Sequence, residues 1–345
     1  MVLGGLLPDA TAVHVLVVVV TSALIWLGSG WLERAAEALS LHYGLPAVVQ
    51  GSVVVALGSS FPEFASVVFT ALADTFNMGV GAIVGSAIFN ILVIPALSGI
   101  AAEGDLEADR TVVYKEAQFY MIAVSALVIT FALAVIYIPD PTGPALAGQI
   151  TRPLAMLPLL VYGLYLFIQW QDVGDYDAPE VTEKIRLRRE WGRLAAGLFL
   201  ILVAVEQLVG SVESLGQTFG IPEFLAGVVI VAAATSLPDT LVSVRSAKAG
   251  KARTSLGNVL GSNTFDLLVA IPVGVLIVGT VTVDFAAAVP MLGVLTLATV
   301  LLFAILRTDL SMTRPEAYAL LLAYGVFVAW IIAETAGVTD LLKGG

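Results

Sequence analysis

The sequence predicts an all-α integral membrane protein with ten transmembrane helices, arranged as two inverted-topology repeats of five helices each. Three observations lead to this fold class: the composition, the number of long apolar segments, and an internal repeat that relates the two halves of the chain. Of the 345 residues, 59% are hydrophobic and 12% are charged, and the mean hydropathy is +0.97. Soluble domains are about one-quarter charged, so this composition indicates a chain that lies mostly in lipid.

Ten apolar segments are long enough to cross a bilayer, for which a helix needs about 20 residues. They cover the ranges 11–38, 45–73, 79–100, 115–138, 153–170, 191–215, 221–249, 256–280, 284–306 and 316–335. The chain divides into a first repeat at 1–170, a cytoplasmic linker at 171–190 and a second repeat at 191–345. The N-terminal residues lack a basic region and a cleavage site, so we expect no removable signal peptide.

The basic residues define an orientation in the membrane. Loops that follow odd-numbered spans hold fourteen of the sixteen lysines and arginines, and the opposite side holds only Arg152 and Lys343. Because cytoplasmic loops are enriched in basic residues, we expect both termini to lie outside the cell. We place the protein in the plasma membrane of a prokaryotic cell. The net charge of −11 suits a high-salt habitat and equally suits an ordinary acidic loop surface.

The internal repeat is clearest in two stretches, GSSFPEFAS at 58–66 and ATSLPDTLV at 234–242. Shifting the chain by 176 positions places Glu63 on Asp239 and Asn90 on Asp266. Flanking residues match as well: Gly44, Pro46, Gly51, Ser60, Pro62, Gly81, Gly85, Ser86 and Phe89 fall on Gly220, Pro222, Gly227, Ser236, Pro238, Gly257, Gly261, Ser262 and Phe265. Each half has an odd number of spans, so the second half is inverted. Such repeats are typical of secondary transporters, which bind substrate between the repeats near the midplane.

Two predicted hairpins bring the polar side chains to one depth. From Glu63 the chain rises about 10 residues to a turn and descends about 11 residues to Asn90, roughly 15–17 Å in each direction. Asp239 and Asp266 are joined by a second hairpin with legs of the same length, which turns at the opposite face of the membrane. The four side chains are therefore expected to meet near the bilayer centre, where no lysine or arginine accompanies them.

The residues around the acids would contribute further oxygen atoms. Proline lacks an N–H, so Pro62 and Pro238 are expected to break their helices and to free the carbonyls of Ala56 and Ala232. Nearby hydroxyls, some of them one helical turn from Asn90 or Asp266, share this inward face: Ser59, Ser60, Ser86, Thr235, Ser236 and Ser262. Small residues let membrane helices pack closely, and four glycines are expected to do so: Gly81, Gly85, Gly257 and Gly261.

This set of side chains offers oxygen alone. Hard cations such as Ca²⁺ and Na⁺ prefer such ligands, whereas softer metals prefer histidine or cysteine. The chain has no cysteine, and its two histidines, His14 and His42, lie near segment ends, so no cofactor is expected. A single buried acid can be a hydrogen-bonded structural group. Three acids and an asparagine placed by a duplicated hairpin favour a functional ion site.

The stretches GSSFPE…GSAIFN and TSLPDT…GSNTFD resemble the two alpha repeats of the cation/calcium antiporter superfamily, specifically the sodium/calcium exchangers. The resemblance implies the sodium/calcium exchanger fold, exchange of Ca²⁺ for Na⁺ by alternating access, and no enzymatic activity. It implies that the Ca²⁺ ligands are Glu63, Asp239, Ser59, Thr235 and the carbonyls of Ala56 and Ala232. It implies that flanking Na⁺ positions are formed by Asn90, Asp266, Ser60, Ser236, Ser86 and Ser262. Lipid and the transported ions are the partners expected.

Departures from the family pattern leave the coupling ion open. Asp239 stands where many exchangers have glutamate, and Ser59 stands where threonine is commoner. Asp239 and the runs SAIFN and SNTFD resemble the potassium-dependent branch, so K⁺ co-transport is an alternative. H⁺/Ca²⁺ exchange is another, although that branch usually has GNxxE-type motifs. A cation channel would use the same acids without counter-transport, and an intramembrane protease would need a GxGD-type stretch that is absent from the sequence.

Overall fold

The computed structural model describes residues 10–43, 56–110, 112–143, 146–171 and 185–339. In these ranges the chain forms helices α1 (Thr11–His42), α2 (Ala56–Ser59), α3 (Phe61–Leu72), α4 (Phe76–Ala101), α5 (Val112–Tyr137), α6 (Arg152–Gln171), α7 (Leu187–Phe219), α8 (Glu223–Thr235), α9 (Leu237–Lys248), α10 (Ala252–Val278), α11 (Phe285–Arg307) and α12 (Arg314–Thr335). Short π-helical turns open α5 (Val112–Glu116) and interrupt α8 (Gly227–Val231) and α10 (Asp266–Ala270).

The protein is a multi-pass, all-α membrane protein. Eight of the described helices are long and apolar enough to cross a membrane, and the pair α8–α9, bent by 46°, is a ninth candidate. Helices α2 and α3 are the described part of the second predicted span, whose first part, 45–55, lies outside the described residues. The number of ten spans therefore stays a prediction.

The helix boundaries recur at the spacing that the sequence predicts. Helix α2 (Ala56–Ser59) corresponds to the last turn of α8 (Ala232–Thr235), since 56 + 176 = 232 and 59 + 176 = 235. Helix α3 corresponds in the same way to α9 at both of its ends. The turns that follow them pass through Asp74 (φ 60°) and Gly250 (φ 71°), which the same shift superposes. This left-handed conformation suits glycine and is tolerated by aspartate.

The prediction that the two prolines break their helices is confirmed: α2 ends at Ser59 and α8 ends at Thr235, and a new helix begins beside each proline, with a bend of 46° between α8 and α9. Pro62 and Pro238 occupy the second positions of α3 and α9, where a missing N–H costs little because the first turn has no intrahelical acceptor for it. The expectation that Pro238 frees the carbonyl of Ala232 is wrong: this carbonyl accepts the N–H of Ser236 at 3.0 Å. Proline removes the donor four residues onward from a carbonyl, so the one deprived by Pro238 belongs to Ala234.

Two short antiparallel sheets, which the sequence analysis did not predict, tie loops together. Strand β1 (Leu106–Glu107) pairs with β4 (Ser311–Met312), and β2 (Ala147–Thr151) pairs with β3 (Thr280–Asp284). β1 precedes α5 and β2 follows it, so the two sheets lie at opposite ends of that helix.

Helix α4 lies at the centre of the molecule, and α1 lies at its periphery. Helix α4 packs against α3, α8, α9, α11 and α12. In its most apolar stretch of 18 residues, 89% of the residues are buried inside the protein, whereas the corresponding share in α1 is 17%. Helices α1 and α7 pack along each other, so closely that a Cβ on Gly197 would lie 2.8 Å from the carbonyl oxygen of Gly28. Helix α7 begins at Leu187, so the last residues of the predicted linker are helical.

The close approach expected of the glycines is present on one side of the centre. A Cβ on Gly81 would overlap the Phe224 carbonyl, and one on Gly85 would lie 2.6 Å from Cα of Val228, so the backbones of α4 and α8 are in contact. A Cβ on Gly257 would meet no described atom within 4 Å. The repeat would bring residues 48 and 52 to that position, and both lie outside the described ranges. For Gly257 and Gly261 the close approach remains a prediction.

Candidate functional site

The three carboxylates and the asparagine that the sequence singles out all lie inside the protein. Glu63 and Asp239 are in the first turns of α3 and α9. Asn90 is in the middle of α4, and Asp266 is the first residue of the π-helical turn in α10. Each of these four side chains is 0% exposed. None of them faces lipid, as an ion site at the centre of the bundle requires.

Asp239 is held by amide groups from two helices. Nδ2 of Asn90 donates to Oδ2 of Asp239 at 3.1 Å, and Nδ2 of Asn258 approaches Oδ1 at 3.4 Å. The hydroxyl-bearing side chains of Ser59 and Ser262 lie beside the same carboxylate. Both oxygens of Asp239 therefore have a polar neighbour.

Glu63 has hydroxyl neighbours from both halves of the chain. Oγ of Ser86 donates to Oε1 of Glu63 at 3.4 Å, and it lies 2.7 Å from Oγ of Ser236. Thr235 lies beside Glu63 as well, although its hydroxyl donates to the Val231 carbonyl at 3.1 Å. When Ser86 donates to Glu63, the proton between the two serines belongs to Ser236, since each hydroxyl has one proton.

Asp266 has the least support of the three carboxylates. Its charge lies within interaction range of Glu63 and Asp239, and Ser60 lies near it. Neither Asp266 oxygen receives a hydrogen bond from the described residues, and neither does Oγ of Ser60. This end of the site is rich in acceptors and poor in donors.

The contacts occur in pairs that follow the internal repeat. Ser59 lies beside Asp239 and Thr235 beside Glu63; Ser262 lies beside Asp239 and Ser86 beside Glu63. In the first pair the hydroxyl and the carboxylate come from different halves of the chain. The two halves therefore build the centre jointly.

Unpaired buried oxygens provide the test of whether a cation fits here. Among the described residues, several buried acceptor atoms of the centre have no hydrogen-bond donor: Ser60 Oγ, Glu63 Oε2, Asn90 Oδ1, Asn258 Oδ1 and both oxygens of Asp266. An unpaired buried polar atom is costly and calls for a water or an ion. The described residues contain no group of three or more acidic or histidine side chains close enough to hold one metal ion. A cation here would therefore combine one or two carboxylates with hydroxyl, amide and carbonyl oxygens.

The central carboxylates have no basic partner in the described part of the chain. The ion pairs found there join Arg193 to Glu190 at 2.9 Å, Arg253 to Asp109 at 3.2 Å and Lys115 to Glu116 at 4.0 Å. None of these pairs includes Glu63, Asp239 or Asp266, so a mobile cation is left to balance the charge of the centre.

Three polar residues near the site were missed by the sequence reasoning. Asn258 and Asn263 of α10 contact Asp239 and Asn90. Glu33 of α1 is half-buried against Gly58, and its charge lies within interaction range of Asp239. A signal existed for Asn258, because residues 258, 262 and 266 are spaced four apart and share one helix face. Asn263 lies off that face and left no comparable signal.

Ala56 and Ala232, whose carbonyls are predicted to bind Ca²⁺, occupy equivalent positions in the two halves of the chain. Ala56 is the first described residue of α2, one repeat before Ala232. The Ala232 carbonyl accepts the Ser236 N–H at 3.0 Å, and the Thr235 hydroxyl, which donates mainly to Val231, approaches it at 3.4 Å. Coordination of a cation by these two carbonyls stays a prediction.

Comparison with known proteins relates most of the chain to one family. A family model described as sodium/calcium exchanger protein matches residues 13–171 and 190–333. An uncharacterized membrane protein of Methanocaldococcus jannaschii, MJ0091, is 28% identical over 260 residues, which are 73% of this chain and 78% of that protein.

Two solved structures share the fold. The sodium-calcium exchanger NCX_Mj, in crystals soaked with Na⁺ and Sr²⁺, is 21% identical and matches with a TM-score of 0.62 over 93% of this chain and 99% of its own. An H⁺/Ca²⁺ exchanger, CAX, is 18% identical and matches with a TM-score of 0.72 over 96% of this chain and 88% of its own.

Proposed function

We propose, because this chain belongs to the sodium/calcium exchanger protein family, that it exchanges Ca²⁺ for Na⁺ across the membrane by alternating access. Members of the family transport ions and catalyse no covalent reaction, so no enzymatic activity is expected.

The observation that carries the proposal is the set of buried oxygens without donors at the centre. Glu63, Asn90 and Asp266 each have such an atom among the described residues. Oxygen ligands of this kind suit Ca²⁺ and Na⁺. We assign Ca²⁺ to Glu63 and Asp239, with Ser59, Thr235 and the carbonyls of Ala56 and Ala232. We assign flanking Na⁺ positions to Asn90, Asp266, Ser60, Ser86, Ser236 and Ser262.

The two sheets support an inverted repeat of five spans in each half. The segment 104–108, which contains β1, falls on 280–284, which is β3, when the chain is shifted by one repeat. β3 pairs with β2, and β1 and β2 lie at opposite ends of α5. Equivalent segments of the two halves therefore lie on opposite sides of the bundle, as inversion requires.

Charge alone can couple the two ion fluxes. With three carboxylates ionised, the empty centre would hold up to three negative charges. Even one charge at the bilayer centre costs at least ~2.5–3.5 kcal/mol, so the empty carrier should change access slowly. One Ca²⁺ or several Na⁺ neutralise the same oxygens and compete for them. We infer that α1 and α7, which pack along each other, move as a pair against the rest of the bundle.

Transport into proteoliposomes tests the coupling ion. Vesicles containing the purified full chain are loaded with Na⁺ and diluted into radiolabelled Ca²⁺ with or without an outward Na⁺ gradient. We expect Ca²⁺ uptake that requires the Na⁺ gradient and collapses with a sodium ionophore. Uptake driven equally well by a pH gradient would overturn Na⁺ coupling in favour of H⁺/Ca²⁺ exchange.

The same assay separates the remaining alternatives. Uptake that needs K⁺ on the Ca²⁺ side identifies the potassium-dependent mode. A cation channel would pass Ca²⁺ down its own gradient with no counter-ion, so downhill flux that is unaffected by internal Na⁺ would refute an exchanger.

A further inference from the structure

Asn263 is a buried amide that the proposed ion shell does not use. It lies in α10, is 0% exposed, and contacts residues of two other helices. Its Nδ2 donates to the carbonyl of Ala87 in α4 at 3.3 Å and lies 3.5 Å from the hydroxyl of Tyr120 in α5. Its Oδ1 accepts from Nδ2 of Asn90 at 2.9 Å.

These hydrogen bonds leave one orientation for each amide. The Ala87 carbonyl can only accept, so Asn263 presents its NH₂ group to Ala87 and its oxygen to Asn90. Asn90 must then present its NH₂ group to Asn263. The Asp239 carboxylate, 3.1 Å from the same Nδ2, accepts the second proton. Both protons of the Asn90 amide are used, and its Oδ1 is the atom left without a donor among the described residues.

The internal repeat explains why such an orienting amide is needed for Asn90 and not for its counterpart Asp266. Asn90 corresponds to Asp266, and Asn263 corresponds to Ala87. A carboxylate has two equivalent oxygens and needs no fixed rotation to offer one to a cation. An amide offers an oxygen in one rotation and an NH₂ group, which repels a cation, in the other. The amide ligand Asn90 in the first half thus has an orienting amide, Asn263, in the second half. The carboxylate ligand Asp266 in the second half has an alanine, Ala87, at the equivalent position of the first half.

We propose that Asn263 is a positioning residue that holds the Asn90 amide with its nitrogen on Asp239 and its oxygen directed to the transported cation. This rests on the proposed function, in which Asn90 is a cation ligand. Asn263 itself does not touch the ion. It raises cation affinity because the Asn90 oxygen is already oriented before the ion arrives.

A double-mutant cycle tests the proposal on the purified full chain. Binding of Na⁺ and of Ca²⁺ is measured by titration calorimetry in detergent for wild type, Asn263→Ala, Asn90→Asp and the double variant. We expect Asn263→Ala to weaken the affinity for the ion bound by Asn90 about fivefold to tenfold, the factor that corresponds to one hydrogen bond. In the Asn90→Asp background the same change should have an effect of less than about twofold, since a carboxylate needs no orienting partner.

A second variant separates orientation from structural support. Asn263→Asp still accepts a proton from Asn90 but cannot donate to the Ala87 carbonyl, so affinity should stay at or above wild type. Thr264→Val is the matched control, because this neighbouring buried hydroxyl donates within its own helix to Leu260 at 2.7 Å; its affinity should not change.

Two results would overturn the proposal. One is an equal loss on Asn263→Ala in both backgrounds, which would indicate a general structural defect. The other is a loss in Asn263→Asp as large as that in Asn263→Ala. Failure of the proposed function would look different, because wild-type vesicles would then show no Na⁺-driven Ca²⁺ uptake while the binding cycle could still be read.

Discussion

Replacing Asp239 by asparagine should reduce Ca²⁺ affinity far more than Na⁺ affinity. The change keeps the shape of the side chain and removes one negative charge from a site that is 0% exposed and has no basic partner among the described residues. The Coulomb energy of a cation with this carboxylate scales with the charge of the cation, so the two ions respond unequally.

The size of the effect follows from the burial. At about 4 Å and an effective dielectric constant of about 20, a unit charge pair is worth about 4 kcal/mol, and a pair with Ca²⁺ about twice as much. If the amide oxygen recovers half of this, about 4 kcal/mol is lost for Ca²⁺ and about 2 kcal/mol for Na⁺. These losses correspond to roughly 1,000-fold and roughly 30-fold in affinity.

Calorimetric titration with each ion, together with radiolabelled Ca²⁺ uptake into Na⁺-loaded vesicles, checks this prediction. The control is Asp105→Asn, which makes the same change in net charge at an exposed loop residue. Ca²⁺ and Na⁺ affinities that fall by the same factor would refute the electrostatic reasoning. A Ca²⁺ affinity within threefold of wild type would remove Asp239 from the Ca²⁺ shell.

Three further predictions concern stability. Gly85→Ala should cost about 1–3 kcal/mol of unfolding free energy, because its Cβ would lie 2.6 Å from Cα of Val228. The control Gly325→Ala, whose Cβ would meet nothing within 4 Å inside α12, should not destabilise the protein. Thermal midpoints of the two variants in detergent test this difference. Hydrogen bonds from Thr142 and Thr282 lower the pKa of half-buried Asp140 from 3.8 to about 2. Its contribution to stability is therefore present above about pH 4 and lost as the pH falls towards 2, so the difference in midpoint between wild type and Asp140→Asn should shrink over that range. Ca²⁺ at 100 times its dissociation constant should stabilise the fold by about 2.7 kcal/mol; a chelator should reverse this, and an unchanged midpoint would contradict specific binding.

Much of the site follows from local features of the sequence. The constant shift between the two halves, the prolines and the rise per residue of a helix predict that Glu63, Asn90, Asp239 and Asp266 share one depth, and the structure buries all four. Apolar length and helix rise depend on neighbouring residues alone. The membrane class and the approximate positions of the eight long helices that the structure describes therefore follow from the sequence without the fold.

Other features depend on how distant helices are rotated against each other. The amide chain from Ala87 through Asn263 and Asn90 to Asp239 joins three helices from both halves, and the sequence analysis named neither Asn263 nor Asn258. The sequence by itself determined the membrane class, the internal repeat and the identity of the buried acids, because these follow from composition and helical periodicity. Only the tertiary structure decided which oxygens are left for a cation, because a hydrogen bond needs two groups within about 3 Å, and crossing angles set that distance.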